Sequence, residues 1–278
     1  MPNNSIDIER HQPNQLLKKY VRKISVFKCK DVLNYQQKLT PTAYIYLTYH
    51  HEDIPANIIG DKRITPNFRL QIDGPKIKKD SIVAYDGKLN RILVEFTATG
   101  FYYLFHTSPS KYIDVLEPLS NFSDNTIIEH LEHELLKLDN SNEQIKVLEK
   151  FLIDLSYKAL PFCDYVEEAL QIINSKHGSV TMSNVIEKLR VSERQFSRQF
   201  SKIVGISPKH YSKMVQLHYI INLMNLKKYT SLQDIAHSAE FYDLSHFIHM
   251  FKELTGFSPV EFINSDKHIA LKYFTDLT

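Results

Sequence analysis

Ser192-Glu193-Arg194-Gln195-Phe196-Ser197-Arg198-Gln199-Phe200, followed by Gly205-Ile206-Ser207-Pro208 and Tyr211, returns 51 residues later. The second copy is Asp243-Leu244-Ser245-His246-Phe247-Ile248-His249-Met250-Phe251, followed by Gly256-Phe257-Ser258-Pro259 and Phe262. Repetition at a fixed offset means two copies of one structural unit. Within each copy the two Phe residues stand at i and i+4, which on a helix is one buried face. Ser192 and Asp243 are residues that cap a helix by accepting from its free amide groups. Gly205 and Gly256 fall where that helix must stop in a left-handed conformation, and Ser-Pro restarts a helix with Ser as cap and Pro at its first position.

Upstream of each capped helix lies a short amphipathic one. Met182, Val185, Ile186 and Leu189 mark the first, and Leu232, Ile235, Ala236 and Ala239 the second. These upstream helices match at an offset of 50, so the second copy has one more residue in its turn. A short helix, a tight turn and a capped helix with a polar outer face make a helix-turn-helix, whose second helix enters the DNA major groove. Between the copies Tyr211, Met214, Val215, Leu217, Tyr219, Ile220, Leu223 and Met224 give a long connecting helix, residues 208–228. Its length of roughly 25 to 30 Å suits two reading helices set about one DNA turn apart, roughly 34 Å.

Residues 177–264 resemble the tandem helix-turn-helix domain of the AraC/XylS transcription regulators. Both copies, both Gly-x-Ser-Pro breaks and the run Phe247, Phe251, Lys252, Gly256 carry the resemblance. The family often has Gly-Phe-Ser-Asp before the second reading helix, where this chain has Glu240-Phe241-Tyr242-Asp243. His249 replaces a common Arg, and Gln216 lies near where another is replaced. The resemblance implies a cytoplasmic DNA-binding protein and places its base-facing positions at Arg194, Ser197 and Arg198 in the first reading helix and at Ser245, His246 and His249 in the second. Arg can pair bidentately with guanine, whereas Ser and His are less selective. Lys252 suits phosphate, and Lys202 is a further DNA-binding candidate. At every one of these positions a solvated helix face or a phosphate contact competes with base readout.

The chain has 278 residues, 43% apolar and 24% charged, values of a globular protein with room for two cores. No apolar run reaches the roughly 18 to 20 residues that cross a bilayer, so no membrane is expected. Met1–Asp7 has no basic stretch ahead of an apolar one, so no leader is expected either. Net charge is only +2, but it is unevenly spread. Between Lys188 and Lys213 seven basic residues face Glu193 alone, a balance of +6, while from Lys227 to Phe262 three face five acidic ones, a balance of −2. Phosphate neutralisation supplies most sequence-independent affinity, so the first module is expected to anchor and the second to read more weakly.

The amino-terminal half has another texture. Leu16, Leu17, Tyr20, Val21 and Ile24 stand at helical spacing and predict a short opening helix over residues 14–24. After it, residues 24–29, 43–49, 68–73, 81–85 and 91–97 read as strands, with Gly60, Gly74, Gly87 and Gly100 at 13- to 14-residue intervals as turns. The expectation is a small antiparallel sheet or partial barrel. The stretch from Leu93 to Phe105 resembles, less specifically, the strand-to-helix junction of an amino-terminal domain found in some AraC-type regulators, which implies a cupin-like sensing domain. Gly100 would open a short helix carrying Phe101, Leu104 and Phe105, although a strand also fits. The aromatics suit either a ligand pocket or plain core.

Two amphipathic helices follow, through Ile127–Leu138 and Ile145–Leu155, able to cover the sheet or form a dimer seam. Pro161 ends them. The fold class expected is therefore α+β: a β-rich regulatory domain (1–122), a helical linker pair (123–160) and an all-α DNA-binding domain (161–278). The last holds helix-turn-helix motifs at 181–203 and 231–254.

Other chemistry is poorly supported. His50 and His51 are adjacent strand residues facing opposite ways, and His130, His133 and Glu134 lack the zinc-hydrolase order, so all read as solvated polar residues and no metal is expected. Cys29 and Cys163 lack the clustered context of a methyl-accepting site and read as reduced, packed thiols. No catalytic residue and no cofactor is expected. The partners expected are double-stranded DNA through its major groove, with RNA polymerase, a small-molecule effector and a second copy of the chain as further candidates. The alternative is an interaction protein whose degenerate second motif no longer reads DNA.

Overall fold

The computed structural model describes residues 6–59, 61–78, 80–226 and 229–264. Met1–Ser5, Gly60, Lys227 and Lys228 of the sequence reading lie outside the described residues. The chain divides into two compact units: one comprises Tyr44–Pro75, Ser81–Pro161 and the chain up to Gln36, the other Gln37–Ala43, Lys76–Asp80 and the chain from Phe162. The class is α+β, with the strands in the amino-terminal part and two helix-turn-helix motifs in the carboxy-terminal part.

The first unit is built on β1 (Asp7–His11), β2 (Val21–Lys38), β3 (Tyr46–His50), β4 (Ala56–Ile59), β5 (Lys62–Ile64), β6 (Leu70–Asp73), β7 (Ile82–Phe96) and β8 (Leu116–Pro118). They form one sheet in the order β1-β2-β7-β3-β6-β8, with β4 pairing both β5 and β7. The opening helix is corrected. Only a single 3-10 turn forms, at Gln15–Leu17, and β2 begins at Val21. Val21, Ile24 and Val26 sit in the core from a strand, where burial on both faces overrides the helical spacing. Residues 81–85 and 91–97 prove to be one long strand. Gly87 does not separate them but bends β7 at φ 143°, and a Cβ there would lie 2.3 Å from the Asp53 carboxylate.

Strand alternation gives the sheet two unlike faces. Leu47, Tyr49, Leu70, Ile72, Ile92, Val94 and Phe96 point into the hydrophobic core. That core is closed by α1 (Gly100–Phe105), α2 (Asn125–Leu136) and α3 (Ser141–Ser156), through Phe101, Leu104, Leu131, Leu135, Leu148 and Leu152. Both helices of the pair thus cover the sheet, and α1 takes the helical alternative at Gly100. The opposite face carries Tyr46, Thr48, His50, Gln71, Asp73, Arg91 and Glu95, brought together by the registers Tyr46↔Glu95, Thr48↔Gln71 and His50↔Arg91.

In the second unit α4 (Asp164–Ser175) precedes α5 (Met182–Leu189), α6 (Glu193–Val204), α7 (Pro208–Asn225), α8 (Leu232–Ser238), α9 (Leu244–Thr255) and α10 (Pro259–Asn264). The duplicated sequence becomes duplicated packing. Phe196 and Phe200 pack 5.5 Å apart and Phe200 meets Tyr211 at 5.7 Å; Phe247 and Phe251 lie 6.1 Å apart and Phe251 meets Phe262 at 5.2 Å. Ser192 and Asp243 cap α6 and α9, accepting from the Gln195 and His246 amides. Gly205 and Gly256 end them at φ 95° and 76°. Gly205→Ala is expected to destabilise this unit by roughly 1 to 2 kcal/mol, because a Cβ is strained there; the urea midpoint checks it.

Candidate nucleic-acid interface

Each reading helix buries its Phe face and leaves its polar face outside. Arg194, Arg198 and Lys202 on α6 are exposed and Ser197 is half-buried beside them; Ser245, His246, His249 and Lys252 on α9 are all exposed. The eight residues named from sequence therefore lie on the outer faces of the second helix of each motif. The spacing follows from 3.6 residues per turn: Ser197 and Arg198 stand about one turn on from Arg194, and His249 about one turn on from Ser245 and His246. The connecting helix α7 has 18 residues, about 27 Å of rise.

The two turns differ by one residue, as the offsets require. Arg190 and Glu240 are equivalent and both left-handed, at φ 53° and 58°. Two residues, Val191 and Ser192, then lead into α6, against three, Phe241, Tyr242 and Asp243, into α9. Glu240 takes that conformation without being glycine, a strained choice for a residue with a Cβ. The extra residue leaves Tyr242 at 97% exposure beside the start of α9. Tyr242 was not among the expected contacts; its place in the altered turn was the only signal. Gln216 is not idle either, for its Nε2 donates to the Ala239 carbonyl at 2.9 Å and ties α7 to the second motif. Lys213 Nζ reaches Glu253 of α9 at 3.3 Å.

The polar face of the amino-terminal sheet is a second candidate site, and it corrects the reading of His50 as solvated. His50 is 1% exposed, with the Gln71 side chain against its ring and no hydrogen bond of good geometry at either nitrogen. Burial, aided by the Arg91 and Arg69 charges, pushes its pKa down to about 3, so the ring is neutral; Gln71 alongside opposes this slightly. His51 is separate, with Nδ1 placed against the Tyr49 hydroxyl at 3.1 Å and the Gln144 amide at 3.0 Å. Ser25 Oγ and Gln71 Oε1 are also buried and unpartnered. Thr48 and Gln71 donate to Asp73, and the Arg91 guanidinium lies over Phe27 at 4.8 Å. Fully buried Glu95 accepts from Arg22 and lies 3.6 Å from Lys23 Nζ. Burial, the largest single influence, lowers the Arg22 pKa, but Glu95 together with Tyr44 and Tyr46 reverses this and the net direction is upward. Among the described residues no group of three His, Cys, Asp or Glu side chains is placed to hold a metal. No described helix is long and apolar enough to cross a membrane.

Residues 185–265 match the family model described as a helix-turn-helix domain. Among solved structures the chain is similar to ToxT from Vibrio cholerae bound to (E)-4-(8-methylnaphthalen-1-yl)but-3-enoic acid. Identity there is 15%, over 93% of this chain and 97% of that chain, with a TM-score of 0.48. It is also similar to ToxT with bound unsaturated fatty acid, at 12% identity, 95% and 97% coverage and a TM-score of 0.46. A third similar structure is the C-terminal domain of AraT, a response regulator from Geobacillus stearothermophilus, at 24% identity, 40% and 98% coverage and a TM-score of 0.35. No curated protein is matched by this sequence. Two capped reading helices within the matched segment define a DNA-binding transcription regulator of the helix-turn-helix class. Within that class the domain is of AraC type, two motifs in tandem on one connecting helix.

Proposed function

We propose that this protein is a sequence-specific regulator, acting in the cytoplasm, that sets α6 and α9 into two successive major-groove segments of double-stranded DNA. Arg194, Ser197 and Arg198 read bases in the first segment, with Lys202 on phosphate. Ser245, His246 and His249 read the second more weakly, with Lys252 on phosphate. The observation that carries this is the exposed Arg194 and Arg198 pair, one turn apart on a helix capped and terminated like its repeat. In this reading residues 1–122 are regulatory, 123–160 a helical linker and 161–278 the DNA-binding part, with RNA polymerase and a second copy of the chain as further partners. Selection of genomic fragments with the full-length protein tests it, followed by Arg194→Ala and Arg198→Ala. Each substitution is expected to cost roughly 1 to 3 kcal/mol of binding and to relax preference at one defined base. A loss uniform over all sequences would instead favour the interaction-protein alternative.

A small-molecule effector is the second part of the proposal, and its support is His50. His50 and Gln71 form a buried polar pair with spare hydrogen-bonding capacity, a group that calls for an explanation. The polar face shared by His50 and Gln71 suits a small molecule with hydrogen-bonding groups. Saturation of a compound that raises the melting temperature of the wild type, but not of His50→Leu, is the supporting result.

A further inference from the structure

Between the two motifs the second unit holds a cleft of about 470 Å³ that the reading helices do not account for. Lys176, Lys188 and residues 178–181 form one wall, Glu240, Phe241 and His246 form the other, and Gln216 of α7 also lines it. Both walls are fixed to the same helix. On the first side Ser212 Oγ donates to the Gly178 carbonyl at 2.8 Å, and the His177 ring stacks on Tyr219 at 4.0 Å with 4° between planes. Gly178 sits at φ 81°, and a Cβ there would lie 2.2 Å from the Ser212 carbonyl, so the loop lies directly on α7. On the second side Gln216 holds the Ala239 carbonyl, and the Phe241 ring packs 5.3 Å from that of His246. The cleft is preorganised, and Lys176 and Lys188 are exposed and have no ion-pair partner among the described residues.

We propose that this cleft takes the phosphodiester backbone of double-stranded DNA where it runs between the two major-groove segments, an inference that rests on the DNA-binding function proposed above. In a helix-turn-helix the first helix crosses the backbone while the start of the second reaches base edges. The cleft joins these two parts from different motifs: α5, the first helix of one, and His246 in the first turn of the reading helix of the other. The space exceeds a single phosphate, as a stretch of backbone requires. Lys188 of the first motif and Lys176 at the end of α4 supply the countercharge, while Glu240 opposes an anion from the second motif. The first motif and α4 thereby lend cations to the rim of their acidic neighbour.

The charge pattern predicts opposite signs for opposite walls. The full-length protein is titrated by fluorescence anisotropy, across a range of salt, on its best selected duplex and on an unrelated duplex of equal length. The Lys176→Gln/Lys188→Gln double variant is expected to bind both duplexes about tenfold more weakly and to flatten the slope of log affinity against log salt by about 2. Glu240→Gln is expected to tighten binding to both. Unchanged affinity and slope in the lysine variant, with wild-type binding intact, would overturn the cleft assignment and leave the DNA reading standing. Weakening confined to one base position would also overturn it, by making the lysines base readers. No binding of wild type to any duplex would remove the function on which the inference rests.

Discussion

Lowering the pH from 7 to about 4.5 is expected to remove roughly 2 to 3 kcal/mol of stability through His50 alone. Its pKa is depressed from the ordinary 6.5 to about 3 by burial and by the nearby Arg91 and Arg69 charges. Above pH 6.5 the ring is neutral in both folded and unfolded chains and contributes no pH dependence. Below 6.5 the unfolded chain takes up a proton that the folded chain refuses until about pH 3, so stability falls with pH throughout that window. The slope is about 1.4 kcal/mol per pH unit. Chemical denaturation of wild type and His50→Leu at several pH values isolates the effect, since carboxylates that also protonate are common to both. The difference between the two proteins should widen steadily as pH falls. Parallel curves would mean that His50 is protonated in the folded protein. At neutral pH the Leu variant should be no less stable, because it replaces a poorly partnered polar ring by an apolar side chain.

Removing Glu95 is expected to do more damage at neutral pH. Its carboxylate is fully buried between Arg22 and Lys23. Glu95→Ala leaves two cations, both largely withdrawn from water, without their anion, and breaking a buried pair in this way typically costs about 3 to 5 kcal/mol. The urea midpoint of the amino-terminal unit should drop accordingly. An Arg22→Leu/Glu95→Leu double variant should recover only part of that loss, because it removes one stranded cation and leaves Lys23. If Glu95→Ala proves nearly silent, the two cations have reached solvent and the group is not a closed one.

The carboxy-terminal architecture was legible because each signal in it is local and punctuated. Ser192, Asp243, Gly205, Gly256, Ser207-Pro208 and Ser258-Pro259 each fix a helix end through backbone chemistry that does not depend on distant residues. The Phe spacing fixes the buried face. The amino-terminal sheet was legible only in its long central strands. Leu16, Leu17, Tyr20, Val21 and Ile24 fit a helix by spacing, yet β2 is buried on both faces and so shows no alternation to contradict that spacing. The short strands β1 and β8 take their conformation from pairing outside any short window of sequence, and the local β4–β5 hairpin is anchored to the sheet only through β4 on β7.

The polar face is the instructive failure. Thr48, His50, Gln71 and Glu95 alternate with apolar residues, and alternation ordinarily means one face in water. All four are buried, so the pattern identified two faces correctly and said nothing about what covers the second. The exposure of Arg194, Arg198, Ser245, His246 and His249 was legible because exposure on a capped helix follows from its buried stripe. Tyr242 and the cleft at Lys176 and Lys188 escaped because they arise from a one-residue difference between turns and from the meeting of two motifs. Neither feature belongs to a single helix.

The covalent strut α7 has one further consequence. A two-fold dimer recognises inverted repeats, since its subunits are related by a half-turn about an axis and cannot tell one end of the site from the other. Here both motifs sit on one polypeptide, joined head to tail, with arginines on one and histidines on the other. A protein that reads DNA in this way bestows a direction on its site. The same fragment turned end for end would reverse the order of the arginine-bearing and histidine-bearing helices along the DNA. Promoters under such control should then tolerate changes of distance better than reversal.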